Sequence, residues 1–97
     1  MIIEISSDAE NDLVDGFWFY ERQSPGLGSY FRSCLISDIE SLKYYAGVHE
    51  KEYGYHRALS KRFPFGIYYT CDAKRLVVIA VLDLRSEPLW IHRRLRR

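Results

Sequence analysis

Phe63-Pro64-Phe65-Gly66-Ile67-Tyr68-Tyr69-Thr70-Cys71 is followed, after Asp72-Ala73-Lys74-Arg75, by Leu76-Val77-Val78-Ile79-Ala80-Val81-Leu82-Asp83-Leu84. In the first run Phe63, Phe65, Ile67, Tyr69 and Cys71 fall on every second position, the period of a strand with one face on a core. The second run is apolar at odd and even positions alike, as in a central strand covered on both faces. Asp72–Arg75 supplies the turn between them. Upstream, Tyr53, Tyr55, Arg57 and Leu59 alternate with Gly54, His56 and Ala58, and Ser60-Lys61-Arg62 makes a tight connection onward. The carboxyl-terminal half therefore predicts an antiparallel meander of three strands.

Before Tyr53 the period is helical. Ile2-Ile3-Glu4-Ile5 is short and β-branched and predicts a first strand. Ser7-Asp8-Ala9-Glu10 has the S-x-x-E form of a capping box, which places a helix start at Ser7. Ala9, Leu13, Phe17 and Tyr20 then recur at helical spacing, with Asp8, Asp12 and Asp15 off that stripe. Ser24-Pro25-Gly26-Leu27-Gly28 ends this helix, since proline cannot continue the ladder. A second helix follows, with Phe31, Leu35, Ile39 and Leu42 on one face and Gly47 at its end. Pro88 permits a short helix or turn over Leu89–His92 before a basic tail, Arg93-Arg94-Leu95-Arg96-Arg97. The expected fold is α+β: an N-terminal strand, an α-helical hairpin, and a three-stranded antiparallel meander forming a small twisted sheet with the helices on one face.

A chain of 97 residues holds one domain, spanning residues 1–97, and buries roughly 60 to 65% of its unfolded surface. No apolar run approaches the roughly 20 residues of a bilayer span, and no secretory pattern opens the chain. The expectation is a soluble, cytoplasmic protein without membrane partners. Cys34 and Cys71 are too few for a disulfide scaffold and lack zinc spacing, so they read as buried thiols in a reducing compartment. No metal and no cofactor is expected.

The net charge of +1 conceals a strong asymmetry. Residues 1–53 carry four basic and ten acidic side chains, a net −6, whereas residues 54–97 carry ten basic and three acidic, a net +7. Either the second half presents a positive surface to a polyanion or an acidic partner, or the halves pack together and neutralise each other. Guanidinium and ammonium groups at Arg57, Lys61, Arg62 and Arg85 have the chemistry to bind phosphate. His56 and His92 are the histidines placed to move a proton. Arg93–Arg97 can contact nucleic acid or an acidic protein, and Tyr44, Tyr45, Tyr53, Tyr55, Tyr68 and Trp90 can stack on bases or pack internally. Glycine-rich phosphate loops and H-E-x-x-H are absent from the sequence.

Three strings carry a resemblance: Phe19-Tyr20-Glu21-Arg22-Gln23-Ser24-Pro25-Gly26-Leu27-Gly28-Ser29-Tyr30-Phe31, Arg57-Ala58-Leu59-Ser60-Lys61-Arg62-Phe63-Pro64-Phe65-Gly66-Ile67-Tyr68-Tyr69, and Val78-Ile79-Ala80-Val81-Leu82-Asp83-Leu84-Arg85-Ser86-Glu87-Pro88. In this order, on these elements, the chain resembles the RelE/ParE superfamily of bacterial type II toxins. The resemblance implies growth inhibition or plasmid stabilisation, neutralised by a cognate antitoxin that binds operator DNA for the pair.

Two targets divide that superfamily. RelE-like members cut messenger RNA on the ribosome, and by that resemblance Arg57, Lys61 and Arg85 would hold phosphate while His92 moves a proton. ParE-like members poison DNA gyrase and are not hydrolases; here Arg62, Trp90, Arg93, Arg94, Arg96 and Arg97 would contact target or antitoxin. The chain has Gly66 where RelE-like enzymes commonly carry an arginine, and Asp83-Leu84-Arg85-Ser86-Glu87-Pro88 where many relatives read H-x-R-R-D-P. These departures tilt the expectation to gyrase, with the ribonuclease as alternative and a decayed toxin, retained as a co-repressor, as a third reading.

Overall fold

The computed structural model describes residues 1–96. Five strands form one sheet in the order β1-β5-β4-β3-β2, where β1 is Ile2–Ile5, β2 Lys51–Glu52, β3 Tyr55–Leu59, β4 Phe65–Cys71 and β5 Arg75–Asp83. Helices α1 (Ser7–Glu21) and α2 (Leu27–Ser41) form the hairpin, and α3 (Pro88–Leu95) closes the described chain. The meander β3-β4-β5 is antiparallel as expected, and β1 lies parallel to β5 on its free side, with Ile2 opposite Arg75 and Ile5 opposite Val78. Strand β5 is thus internal, which accounts for its apolar character on both faces.

Alternation divides the core. Phe65, Ile67 and Tyr69 of β4 join Leu76, Val78 and Val81 of β5 against Ala9, Leu13, Tyr20, Phe31, Leu35 and Ile39 of the hairpin. Tyr68, Ala80 and Leu82 turn to the opposite face and meet Ile91 and Leu95 of α3. Tyr68 pairs with Ala80 but Tyr69 with Val78, so the ladder skips Ile79 in a bulge. The extra residue resets which β5 side chains face the hairpin, from Leu76 and Val78 to Val81.

Several boundaries differ from expectation for local reasons. Ser6, not Ser7, caps α1: its backbone is extended and its hydroxyl accepts from Ala9 N–H at 3.1 Å. Glu21 at the end of α1 takes over the start of α2, its carboxylate accepting from Gly26 N–H and from Gly28 N–H at 2.9 Å. Helix α2 ends at Ser41 and tightens into a 3-10 turn over Leu42–Tyr44, before Gly47. Tyr53 and Gly54 both have positive φ, 55° and 86°, and join β2 to β3 as a two-residue hairpin. A run that reads as strand alternation from Tyr53 thus opens with a turn, and an added strand, β2, precedes it. The terminal helix also continues through the supposed tail to Leu95, adding cover on the sheet face away from the hairpin. Cys34 and Cys71 are free and only partly buried.

Among the described residues no helix is long and apolar enough to cross a membrane.

Candidate functional surface

The face of the sheet under α3 brings several of the expected residues together. Arg57 sits opposite Tyr68 on the neighbouring strand, and its side chain is half-buried. Tyr68 is almost wholly enclosed; burial raises its hydroxyl pKa, and the Arg57 guanidinium opposes that rise. Gly66 lies on the same face, one row along. A Cβ built there would stand 3.0 Å from Leu84 Cδ2, 3.1 Å from Tyr68 Cε2 and 3.4 Å from Arg57 Cδ. Leu84, Tyr68 and the Arg57 stem therefore occupy the space that a longer side chain at this position would need.

Lys61 and Arg62 stand exposed at the β3–β4 connection, with no ion pair among the described residues. The connection is anchored from below by Asp38 of α2, buried, whose carboxylate accepts from Ser60 Oγ at 2.7 Å and from Lys61 N–H at 3.2 Å. Arg85, at the far end of β5, is folded onto its own strand. Its Nε donates to Asp83 Oδ1 at 3.0 Å and its Nη2 to Asp83 Oδ2 at 2.8 Å, with Tyr20 Oη at 3.3 Å. This fork holds the Asp83 carboxyl below its ordinary range and the Arg85 pKa above its own.

His92 projects from α3 toward the β2–β3 turn, where its ring stacks on Tyr53 at 4.9 Å. Tyr53 is the only non-glycine residue with positive φ among the described residues, a conformation held by a two-residue turn and accompanied by this stack. His56, on β3, donates from Nδ1 to the His49 carbonyl at 2.7 Å and belongs to a separate cluster around Tyr69. The proposed proton carrier His92 and the fork of Arg85 are thus each engaged with a different neighbour, Tyr53 and Asp83.

The α3 cations divide by exposure. Arg93 and Arg96 are exposed; Arg97 lies outside the described residues. Arg94 turns inward: its Nη1 donates to Asp12 Oδ1 at 2.6 Å and its Nη2 to Asp12 Oδ2 at 2.9 Å, which raises the guanidinium pKa. Asp12 also accepts from Val81 N–H at 3.0 Å, on the stretch of β5 beyond the last β1 pair. One buried carboxylate therefore joins α1, β5 and α3. Its place off the apolar stripe was misleading: Asp12 lies three residues after Ala9 and four before Gly16, both buried, and that spacing is the signal for an inward position. Trp90, 44% exposed, shares a cleft of about 280 Å³ with Phe19, Asp15, Asp83, Ser86 and the Asp12–Arg94 pair. Arg94 also lies over the Trp90 ring, at 5.8 Å.

No family model matches this chain, and no curated protein matches it in sequence. Among solved structures it is similar to one described as the chromosomal ParDE TA system from P. aeruginosa. The identity is 15%, the alignment covers 84% of this chain and 92% of that chain, and the TM-score is 0.74. The chain has a RelE/ParE-like α+β fold, as its three strings and element order predict.

Proposed function

We propose that this chain is the toxin of a type II toxin–antitoxin pair, held inactive by a cognate antitoxin and acting, when free, as a poison of DNA gyrase. The observation that carries the toxin reading is the fold likeness to a ParDE structure over nearly the whole of both chains. Three features favour gyrase over messenger RNA as the target. Arg85 is forked onto Asp83, His92 is stacked on Tyr53, and the surroundings of Gly66 are filled by Leu84, Tyr68 and Arg57. A ribonuclease of this chemistry needs a free cation at the phosphate and a base beside it. Leu89, Trp90 and Arg93, exposed on α3, and Arg96 just past its end suit protein docking: an aromatic anchor flanked by cations.

The deciding experiment induces the chain alone in a bacterium and pulse-labels DNA and protein synthesis in the first minutes of arrest. DNA synthesis failing first, with inhibition of supercoiling by the purified protein, is the expected result. Protein synthesis failing first refutes the gyrase target and returns the ribonuclease. Growth without arrest at confirmed protein levels refutes both and leaves the co-repressor. The ribonuclease has one feature in its favour, Arg57 half-buried beside the Tyr68 hydroxyl and free of ion pairs among the described residues. In that reading Arg57 and Lys61 hold phosphate, Arg85 joins them on leaving Asp83, and His92→Gln abolishes transcript cleavage while sparing antitoxin binding. The antitoxin segment is acidic and amphipathic and covers the basic half, so its affinity falls as salt rises.

A further inference from the structure

The stretch between α2 and β3 exposes Tyr44, Tyr45 and Val48, and it is tied to the sheet around one buried side chain, Tyr69 of β4. Tyr69 Oη accepts from Gly47 N–H at 3.1 Å and lies 2.6 Å from His49 Nδ1. Two aromatic rings bracket it: His56 stacked at 5.2 Å, and His49 edge-on at 5.7 Å.

Counting protons fixes both tautomers. Gly47 N–H takes one lone pair of Oη, and the single hydroxyl proton of Tyr69 needs an acceptor. Among the described residues that acceptor is His49 Nδ1, so Nδ1 carries a lone pair and the His49 proton sits on Nε2. His56 is the reverse. Its Nδ1 lies 2.7 Å from the His49 carbonyl oxygen, which cannot donate, so His56 Nδ1 bears the proton and Nε2 is its basic atom. Protonating His56 therefore leaves its bond in place. Protonating His49 puts an N–H where an acceptor stood, and the buried Tyr69 hydroxyl loses the partner for its proton.

We propose that His49 is a pH-operated latch: neutral, it accepts the Tyr69 proton and holds the turn from Gly47 to the His49 ring on the Tyr69 hydroxyl; protonated, it loosens that turn, while the His49 carbonyl and β2 stay bonded to β3. The surrounding charges set the direction. Tyr69 of β4 meets the ring edge-on and His56 of β3 stacks on Tyr69; Lys51 of β2 is opposite His56, Cys71 of β4 lies beside Gly47, and Glu50, Glu52 and Arg57 line the same cavity as His49. The carboxylates favour the imidazolium and the cations oppose it. Burial, and then His56, hold the His49 pKa below its ordinary value of 6.5. Burial raises Tyr69, which keeps its proton throughout. A histidine with a depressed pKa stabilises the closed form above about pH 6.5, and that contribution is lost as pH falls through the closed-state value.

Gly47 N–H reports on the latch directly, because its acceptor is Tyr69 Oη. Amide exchange of the whole chain is measured at pH 7.5 and 5.0 and normalised for the intrinsic rate. Protection at Gly47 is expected to fall roughly tenfold at the lower pH. His49→Gln supplies an uncharged acceptor and removes the response, whereas His56→Gln retains it. A response that persists in His49→Gln, or its absence in the unaltered chain, overturns the proposal. Imidazole ¹⁵N shifts of the unaltered chain give a second check that needs no variant. The expected tautomers at pH 7.5 are Nε2–H for His49 and Nδ1–H for His56, and an Nδ1–H on His49 refutes the latch.

Discussion

Replacing Asp12 with alanine tests how the two halves of the chain are joined. The carboxylate is 8% exposed and accepts three bonds, two from Arg94 and one from Val81 N–H. Its loss strands the Val81 amide inside the structure, which costs about 1–3 kcal/mol. Arg94 is less committed: its side chain is 27% exposed, so its guanidinium can turn partly to water. The charge contribution therefore falls at or below the lower end of the roughly 3–5 kcal/mol seen when a buried pair loses one member. Because the two contributions overlap, the expected loss is about 3–4 kcal/mol.

Urea unfolding of the purified chain, followed by tryptophan fluorescence with the slope required to stay constant, measures that loss. Asp12→Asn keeps one oxygen for Val81 but not the charge, and is expected to lose about half as much. Arg94→Ala with Asp12→Ala completes a double-mutant cycle, with an expected coupling of about 2 kcal/mol. An Asp12→Ala loss below about 1 kcal/mol, or a coupling near zero, would falsify the clamp.

Gly28→Ala, although it raises helix propensity, is expected to destabilise by about 1–3 kcal/mol, because its Cβ would lie 2.5 Å from the Phe17 carbonyl oxygen; an unchanged melting temperature would contradict that packing. Asp83 has a lowered carboxyl pKa in the folded chain, so its contribution is present above the ordinary value of 3.8 and lost as pH falls through the folded value. Stability should therefore fall less steeply below pH 4 in Asp83→Asn, and an identical slope would show that the Arg85 fork is energetically silent. On the proposed gyrase reading, Trp90→Ala combined with Arg93→Ala is expected to cost about 1 kcal/mol of stability, because Arg94 loses the Trp90 ring, and to weaken inhibition of supercoiling by the still-folded protein. Full inhibition by that variant would move the docking surface elsewhere. Truncating from Trp90 onward is a poorer test, since it also removes Ile91, Leu95 and the Arg94 clamp.

The meander was legible because period and turn chemistry agree there: Asp72 does accept from Lys74 and Arg75 N–H, and Phe65, Ile67 and Tyr69 share a face. The hairpin was legible from Phe31, Leu35 and Ile39. What escaped depends on contacts between distant residues. Ser6 rather than Ser7 caps α1 because Ser6 N–H already bonds Val78 across the sheet, fixing where the strand ends. Tyr53 looks like a strand residue and adopts a turn conformation, because Lys51 and Glu52 pair back onto His56 and Tyr55. The basic tail becomes a helix because Ile91 and Leu95 find Tyr68, Ala80 and Leu82. Of the candidate site, the cations were visible as types; which of them carry partners was not, since Arg85–Asp83 is local but Arg94–Asp12 spans 82 positions.

That distinction reshapes the charge argument. The two readings of the −6 and +7 halves are both partly true. Arg94 pairs with Asp12 and Arg75 with Glu4 at 3.1 Å, so two cations of the second half are matched by carboxylates of the first, while Asp83 takes Arg85 from its own half. The Arg75–Glu4 pair is exposed and contributes little; the Arg94–Asp12 pair is enclosed and fixes α3. Among the described residues of the second half Arg57, Lys61, Arg62, Lys74, Arg93 and Arg96 remain without ion pairs. They fall into separate places: Arg57 beside Tyr68, Lys61 and Arg62 at the β3–β4 tip, Lys74 at the β4–β5 turn, and Arg93 on α3 with Arg96 just past its end. A polyanion bound as one continuous track would need these places in line, whereas a protein partner can meet them separately. If the proposed toxin reading holds, removing Arg93 and Arg96 should weaken antitoxin and gyrase binding by different factors, whereas an equal loss for both would indicate that one surface serves the two partners.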